Sequence, residues 1–337
     1  MSSIVTWQPP MKRVLVALAP AVLASVWFFG WRSFVLISVV SIAGFFTEYI
    51  FSRFSKQTVT SSIFVTCLLF ALSLPPTIPL WIALVGVVFG VVFGKMVFGG
   101  FGRNVFNPAL VGRIFIYVSF AGPMTTKWPS PLTVTSDILS LPFGPGGFTR
   151  YAADATSSPT PLGISASGGD VDVLSLLWGN VSGCMGETSA FLLILGGAFI
   201  IWKKAASWRI VLSAFLSFLV FQSAFWLSGV KGAADPLSAV LSGGLILGFF
   251  FMATDPVSAA QTQGGRWIYG ALVGSLTALI RVFSVWPEGT MFAILLGNTF
   301  APLVDYLVRR SADRAKARAS AETAASGGTA RDERRTP

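Results

Sequence analysis

Apolar residues fall in long runs separated by short polar breaks, over residues 14–29, 33–51, 60–74, 80–98, 104–120, 187–202, 209–229, 237–253, 267–283 and 290–308. A helix needs about 20 such residues to cross some 30 Å of hydrocarbon, so the pattern predicts about ten transmembrane helices. Met11-Lys12-Arg13 ahead of the first run resembles the head of a signal peptide. No A-x-A cleavage site closes that run cleanly, and it is read as the first span. Between the fifth and sixth runs lies a long polar stretch, 121–186, in which only Lys127 and Arg150 carry positive charge.

Composition agrees with the pattern. Of 337 residues 53% are hydrophobic and 11% charged, against roughly a quarter charged in an ordinary soluble domain. The 30 Phe and 11 Trp suit lipid-facing surfaces and interfacial belts. Histidine is absent, and Cys67 and Cys184 lie far apart. Haem, zinc or iron–sulfur ligation by this chain alone is therefore not expected, and no metal site is assigned.

The net charge of +10 reflects in large part the tail after Leu307, with Arg309, Arg310, Arg314, Lys316 and Arg318. In a membrane protein this is a topology signal rather than a nucleic-acid footprint. With ten alternating spans, Lys12/Arg13, Arg53/Lys56, Lys95/Arg103, Lys203/Lys204/Arg209, Arg266 and the tail all fall on one side. The positive-inside rule then makes both termini cytoplasmic and the 121–186 loop extracytoplasmic. Four regions result: a first repeat of five helices (1–120), the outer loop (121–186), a second repeat of five helices (187–310), and a disordered basic cytoplasmic tail (311–337).

The repeats are suggested by recurring motifs. Asn104-Val-Phe-Asn-Pro108 returns as Asn298-Thr-Phe-Ala-Pro302, and Phe70-Ala-Leu-Ser-Leu-Pro75 as Phe251-Met-Ala-Thr-Asp-Pro256. A displacement of five spans, being odd, inverts the second copy, as in many transporters whose sites lie between repeats. Chance similarity among Leu/Val/Gly-rich spans is the competing explanation, and the shared motif order argues against it.

Three places carry candidate chemistry. In FGGFGRNVFNP, Asn107 suits an N-cap and Pro108 the first helical position. Gly102, Arg103, Asn104 and Asn107, with Arg113 further along, form a candidate surround for an anion or a flavin's polar edge; a tight packing turn accounts for the same residues. Glu48 in GFFTEYIF and Asp255 in FMATDPVSA are ionisable groups within spans, where a charge is costly unless it meets a partner or a wet cavity. They are the candidates for ion coupling, whereas Asp305 is equally explained by Arg309 one turn on. In DATSSPTPL, Thr160 stands between Pro159 and Pro161, which restrict the backbone and present its hydroxyl. Such a hydroxyl suits covalent modification, and an unmodified Ser/Thr/Pro loop suits it as well.

GGFGRNVFNPALVGR, DATSSPTPL, FFFMATDPVSA and NTFAPLVDY, in this order, resemble the NqrB/RnfD family of membrane subunits. The likeness covers roughly residues 12–310, and the short segment before the first span suits RnfD better than NqrB. It implies an all-α integral membrane fold of two inverted five-helix repeats, similar to the urea-transporter architecture, in the bacterial inner membrane. It further implies a subunit of an ion-translocating Rnf-type electron transport complex (ferredoxin:NAD oxidoreductase) rather than a stand-alone enzyme. FMN would be carried on Thr160 through a phosphoester placed there by a flavin transferase, with Asp154 the motif's acid and Ser157 its first hydroxyl. A second, noncovalent riboflavin, an extracytoplasmic FMN-binding partner, iron–sulfur subunits and other Rnf/Nqr membrane subunits are implied in the same way. The alternatives are an NqrB-like subunit of the sodium-pumping NADH:quinone oxidoreductase and a non-redox small-solute channel on the same repeats. Pro159 departs from the family pattern, which usually has Ala there.

Overall fold

The computed structural model describes residues 5–126, 128–131, 151–152, 158–187, 189–284 and 288–332, with the backbone alone at 166 and from 318 on. Asp154, Ser157, Lys127 and Arg150 lie outside the described residues.

Helices account for nearly all the regular structure. In chain order they are α1 Pro9–Phe29, α2 Trp31–Phe54, α3 Ser62–Leu72, α4 Leu80–Val91, α5 Pro108–Ser119, α6 Ala121–Thr125, α7 Pro161–Ala166 and α8 Val173–Trp178. There follow α9 Ala190–Trp202, α10 Trp208–Leu227, α11 Pro236–Leu241, α12 Leu245–Leu247, α13 Gln263–Phe283 and α14 Gly289–Asp332. Two π-helical stretches, Val92–Met96 and Gly248–Met252, continue α4 and α12. A two-residue parallel pair joins β1 (Val5–Thr6) to β2 (Val59–Thr60).

Among the described residues five helices are long and apolar enough to cross a membrane: α1, α2, α10, α13 and α14. The remaining apolar runs are shorter or broken. Run 60–74 yields only the 11 residues of α3, about 17 Å of helix. Run 237–253 is divided among α11, α12 and a π-helix, with Gly243 at φ +65° between them. In the opposite direction, α14 continues to Asp332, where disorder is expected from 311 onward. Its Ala, Arg, Lys and Glu are strong helix formers without an internal stop, which accounts for the extension.

Close packing depends on small residues. A β-carbon added at Gly90 on α4 would lie 2.6 Å from the Pro108 carbonyl of α5, and one at Gly270 on α13 would lie 2.5 Å from the Ile210 carbonyl of α10. Small side chains at such contacts let helix backbones approach without a hydrophobic drive from lipid. α4 packs against α2 and α5, and α13 packs against α10 and α14.

Loop contacts sort onto two ends. At one, Arg13 donates to the Lys203 carbonyl at 2.6 Å, and Gln57 to the Gly99 carbonyl at 3.5 Å. At the other, Arg32 holds the carbonyls of Pro76 and Ile78, and the Met185 amide donates to the Leu74 carbonyl. The matched motifs differ locally: Asn107-Pro108 starts α5, whereas Pro302 lies inside α14.

Candidate functional site

Thr160 begins α7. Its backbone is extended (φ −75°, ψ 155°), and its Oγ accepts the Gly163 amide at 3.2 Å, as a capping hydroxyl does. Pro161 follows as the first helical residue, a position that its fixed φ suits. Upstream, the Ser158 amide donates to the Trp128 carbonyl at 2.9 Å. Downstream, Leu162 lies against Gly243, where an added β-carbon would be 2.6 Å from Leu162 Cδ1. The segment is thus anchored on both sides of the threonine.

Thr160 faces a cavity of about 790 Å³ lined also by Trp128, Tyr117, Ser158, Glu187 and Glu288. That volume lies within the range of cofactor-sized sites. Pro159 is exposed on its rim.

Arg113, near the middle of α5, stands just behind Glu187 and Glu288. The guanidinium donates to Glu288 Oε2 and to Cys184 Sγ (3.4 Å), and lies 3.6 Å from Glu187 Oε1. Arg113 Nε and Glu187 Oε1 are buried without a hydrogen-bond partner. One arginine balances one carboxylate, not two. Burial pushes the Glu288 carboxyl up to about 7, with Arg113 opposing the shift and Glu187 reinforcing it, the ordinary signs for desolvation and for opposite and like charges. Cys184, Glu187 and Glu288 place their ligand atoms within 4.8 Å of one another. Burial and Glu187 hold the Cys184 thiol well above its usual value, and Arg113 already answers Glu288. The thiol therefore stays protonated, and a thiol is a poor ligand. The group reads as an ion-pair cluster.

The second constellation is around Glu48, which is 2% exposed. Lys95 Nζ donates to Glu48 Oε2 (2.6 Å), Ser62 Oγ (2.8 Å) and Thr60 Oγ1 (3.1 Å). Glu48 Oε1 accepts the Thr60 amide (3.0 Å) and hydroxyl (2.9 Å). Lys95 is 1% exposed and belongs to the π-helical stretch, a widened turn often found at functional positions. The sequence reading places Lys95 among the flanking charges of a cytoplasmic loop; the structure buries it as the counter-ion of Glu48.

Lys95, Asn104, Asn107 and Asp255 line one cavity of about 50 Å³. Asn107 caps α5 as expected, accepting the Ala109 amide at 3.0 Å, while its Nδ2 donates to the Met252 carbonyl at 3.2 Å. Asn104 donates to the Phe106 carbonyl, and Asp255 accepts from Ser258 Oγ at 2.7 Å. Gly102 and Arg103 are exposed on the turn outside. Arg113 is not part of this surround: it lies six residues along α5, about 9 Å away by helical rise, and turns to Glu288. Asp305 also has another role, accepting the Gln261 and Thr262 amides (2.7 and 2.8 Å) at the start of α13.

The sequence reading thus misses Lys95, Glu187 and Glu288. Arg113 itself is the available signal for the last two, because a charge mid-span requires a counter-charge.

Known proteins of similar sequence point the same way. The model of the NQR2, RnfD, RnfE family matches residues 2–313. A Pseudomonas aeruginosa (strain LESB58) protein, a Na(+)-translocating NADH-quinone reductase subunit of the NqrB kind by its name, is 39% identical over 281 residues, covering 79% of this chain and 64% of its own. Proteins of the same name from Pseudoalteromonas atlantica (41%, covering 82% and 66%) and Yersinia pestis (38%, covering 86% and 71%) are similar. The chain spans just under two thirds of the length of the Pseudomonas relative. With five helices long and apolar enough to span a bilayer, this integral membrane protein belongs to the NQR2, RnfD, RnfE family.

Proposed function

We propose that the chain is a membrane subunit of an ion-translocating electron transport complex and carries FMN covalently on Thr160, relaying electrons while Na+ or H+ moves. The observation that carries this reading is the 790 Å³ cavity with the Thr160 hydroxyl on its wall. Attachment exchanges the proton of Thr160 Oγ for the FMN phosphoryl group of FAD, with AMP leaving. When bound, the flavin supplies one- and two-electron transfer. The residues present fit it: Trp128 and Tyr117 offer rings, Leu162 and Gly243 fix the tether, and Arg113 lies behind the acidic floor. Riboflavin, held noncovalently, is assigned to the neighbourhood of Gly102, Arg103, Asn104 and Asn107.

Between the two complexes of the family, the names and 38–41% identities of the relatives favour the Nqr kind over the Rnf kind. The partners are then the other membrane subunits, an extracytoplasmic FMN-binding subunit and iron–sulfur subunits, with a flavin transferase for maturation. Ten spans in two inverted repeats, 1–120 and 187–310, are supported by the equivalent packing of α4 and α13 in the two halves. The contact of Arg13 with Lys203 supports basic loops sharing one, cytoplasmic, end. The 121–186 loop then faces outward and 311–337 inward. Glu48 and Asp255 carry the coupling, each buried beside a polar cavity.

Co-expression with a flavin transferase tests the proposal. The denatured band is expected to fluoresce in wild type and stay dark in Thr160→Ala; a dark wild-type band or an equally bright variant overturns it. Glu48→Gln and Asp255→Asn are expected to lower ion pumping by the assembled complex, and unchanged pumping in both removes the coupling role. Pro159→Ala, at an exposed position, is expected to brighten the band.

A further inference from the structure

The oxygens around Lys95 have the form of a small cation site. Glu48 Oε2, Ser62 Oγ and Thr60 Oγ1 surround the ammonium at 2.6–3.1 Å, one formal negative charge facing one positive charge. The oxygens are positioned independently of the lysine. Thr60 is held by Glu48 Oε1 through its amide and hydroxyl, its Oγ1 meets Ser62 Oγ at 2.8 Å, and the β1–β2 pair fixes its backbone. Removing Lys95 would thus leave the cage standing with its negative charge. Lys95 also has somewhere to go. The 50 Å³ cavity it lines is shared with Asp255, whose carboxylate acts on the lysine charge and has only Ser258 and Val257 as hydrogen-bond donors among the described contacts.

We propose that Glu48, Thr60 and Ser62 form a binding site for a monovalent metal cation, that Lys95 is a tethered cation occupying it, and that the site opens when Lys95 swings across the cavity to Asp255. The inference deepens the coupling role given to Glu48 and Asp255 and rests on that reading. It turns a static pair into an exchange: the lysine charge moves from one carboxylate to the other, and a free cation takes the vacated oxygens. No bond is made or broken, and charge at Glu48 is balanced in both states.

The test uses the full chain in detergent, with melting followed in NaCl, KCl or choline chloride at equal ionic strength. Wild type is expected to melt alike in all three. Lys95→Met is expected to gain a saturable upward shift in NaCl or KCl over choline chloride, and Lys95→Met/Glu48→Gln to lose it. Three results overturn the proposal: a folded Lys95→Met protein without the shift, a shift that survives Glu48→Gln, or an equal shift in wild type. Should Lys95→Met not fold, wild-type Lys95 is acylated with a small amine reagent and quantified by mass spectrometry. Labelling that rises severalfold from choline chloride to concentrated NaCl or KCl supports withdrawal of the lysine; a flat rate overturns it. Neither readout involves pumping. If Glu48→Gln leaves pumping intact while Lys95→Met gains the shift, the coupling role falls and the cation site stands.

Discussion

At the Lys95 end of the molecule the ammonium has an oxygen for each of its three donors, whereas at the Arg113 end a guanidinium nitrogen and a carboxylate oxygen have no hydrogen-bond partner. Both clusters are buried and built around one basic side chain, so burial alone does not separate them. The difference lies in stoichiometry and surroundings. Lys95 meets one carboxylate beside a cavity of about 50 Å³; Arg113 meets two beside one of about 790 Å³. Buried polar groups without partners are costly in a low-dielectric interior. A closed cluster is therefore poised to exchange its cation for another, and an open one is poised to receive a polar ligand.

The comparison is broken most severely by Arg113→Met, which leaves Glu187 and Glu288 without their cation. A loss of about 3–5 kcal/mol is expected, as when one member of a buried pair is removed, measured as unfolding in detergent. Lys95→Met is expected near the lower limit, about 3 kcal/mol, because Glu48 keeps the Thr60 amide and hydroxyl. A larger loss at Lys95 than at Arg113 would reverse the ranking of the clusters.

Stoichiometry also predicts a pH response. Folding raises the Glu288 carboxyl from the usual glutamate range to about 7, so the folded protein favours its protonated form. That contribution is complete below about pH 4.3 and is lost as pH rises through 7. Wild type is expected to lose on the order of 2 kcal/mol between pH 5 and 8 that Glu288→Gln retains, at 1.36 kcal/mol per pKa unit before solvent relaxation. Equal pH profiles would mean that Arg113 balances both acids. The smallest effect is expected at Asn107→Ala, which lies between the clusters. Loss of the α5 cap costs about 1 kcal/mol and leaves the Met252 carbonyl without this donor, read as a lower melting temperature with flavin attachment unchanged.

What the chain reveals before folding depends on the range of the interaction. The Asn107-Pro108 cap is visible because capping joins neighbours in sequence, and the long apolar runs are visible because lipid acts on every residue of a span. The division of run 237–253 is less visible, since Leu and Phe continue through the break around Gly243. Arg113 shows why proximity in sequence misleads: it shares a motif with Gly102 and Arg103, yet helical rise carries it toward carboxylates from two distant loops. Lys95 is missed for a related reason. Near the end of an apolar run a lysine resembles a flanking charge, and only the wider π-turn brings it back to Glu48. The segment with Asp154 and Ser157 lies outside the described residues, so their roles rest on the motif.

The short β1–β2 pair has a practical consequence. Thr6 pairs with Thr60, its carbonyl accepts the Ser61 amide at 3.0 Å, and the Gln8 amide donates to Ser61 Oγ at 2.9 Å. The segment leading into α1 is thereby stitched to the strand that supplies one wall of the Lys95 cage. An affinity tag placed ahead of Val5 is mechanically connected to that wall, so the position of a purification handle becomes an experimental variable, and a carboxyl-terminal handle is the neutral choice.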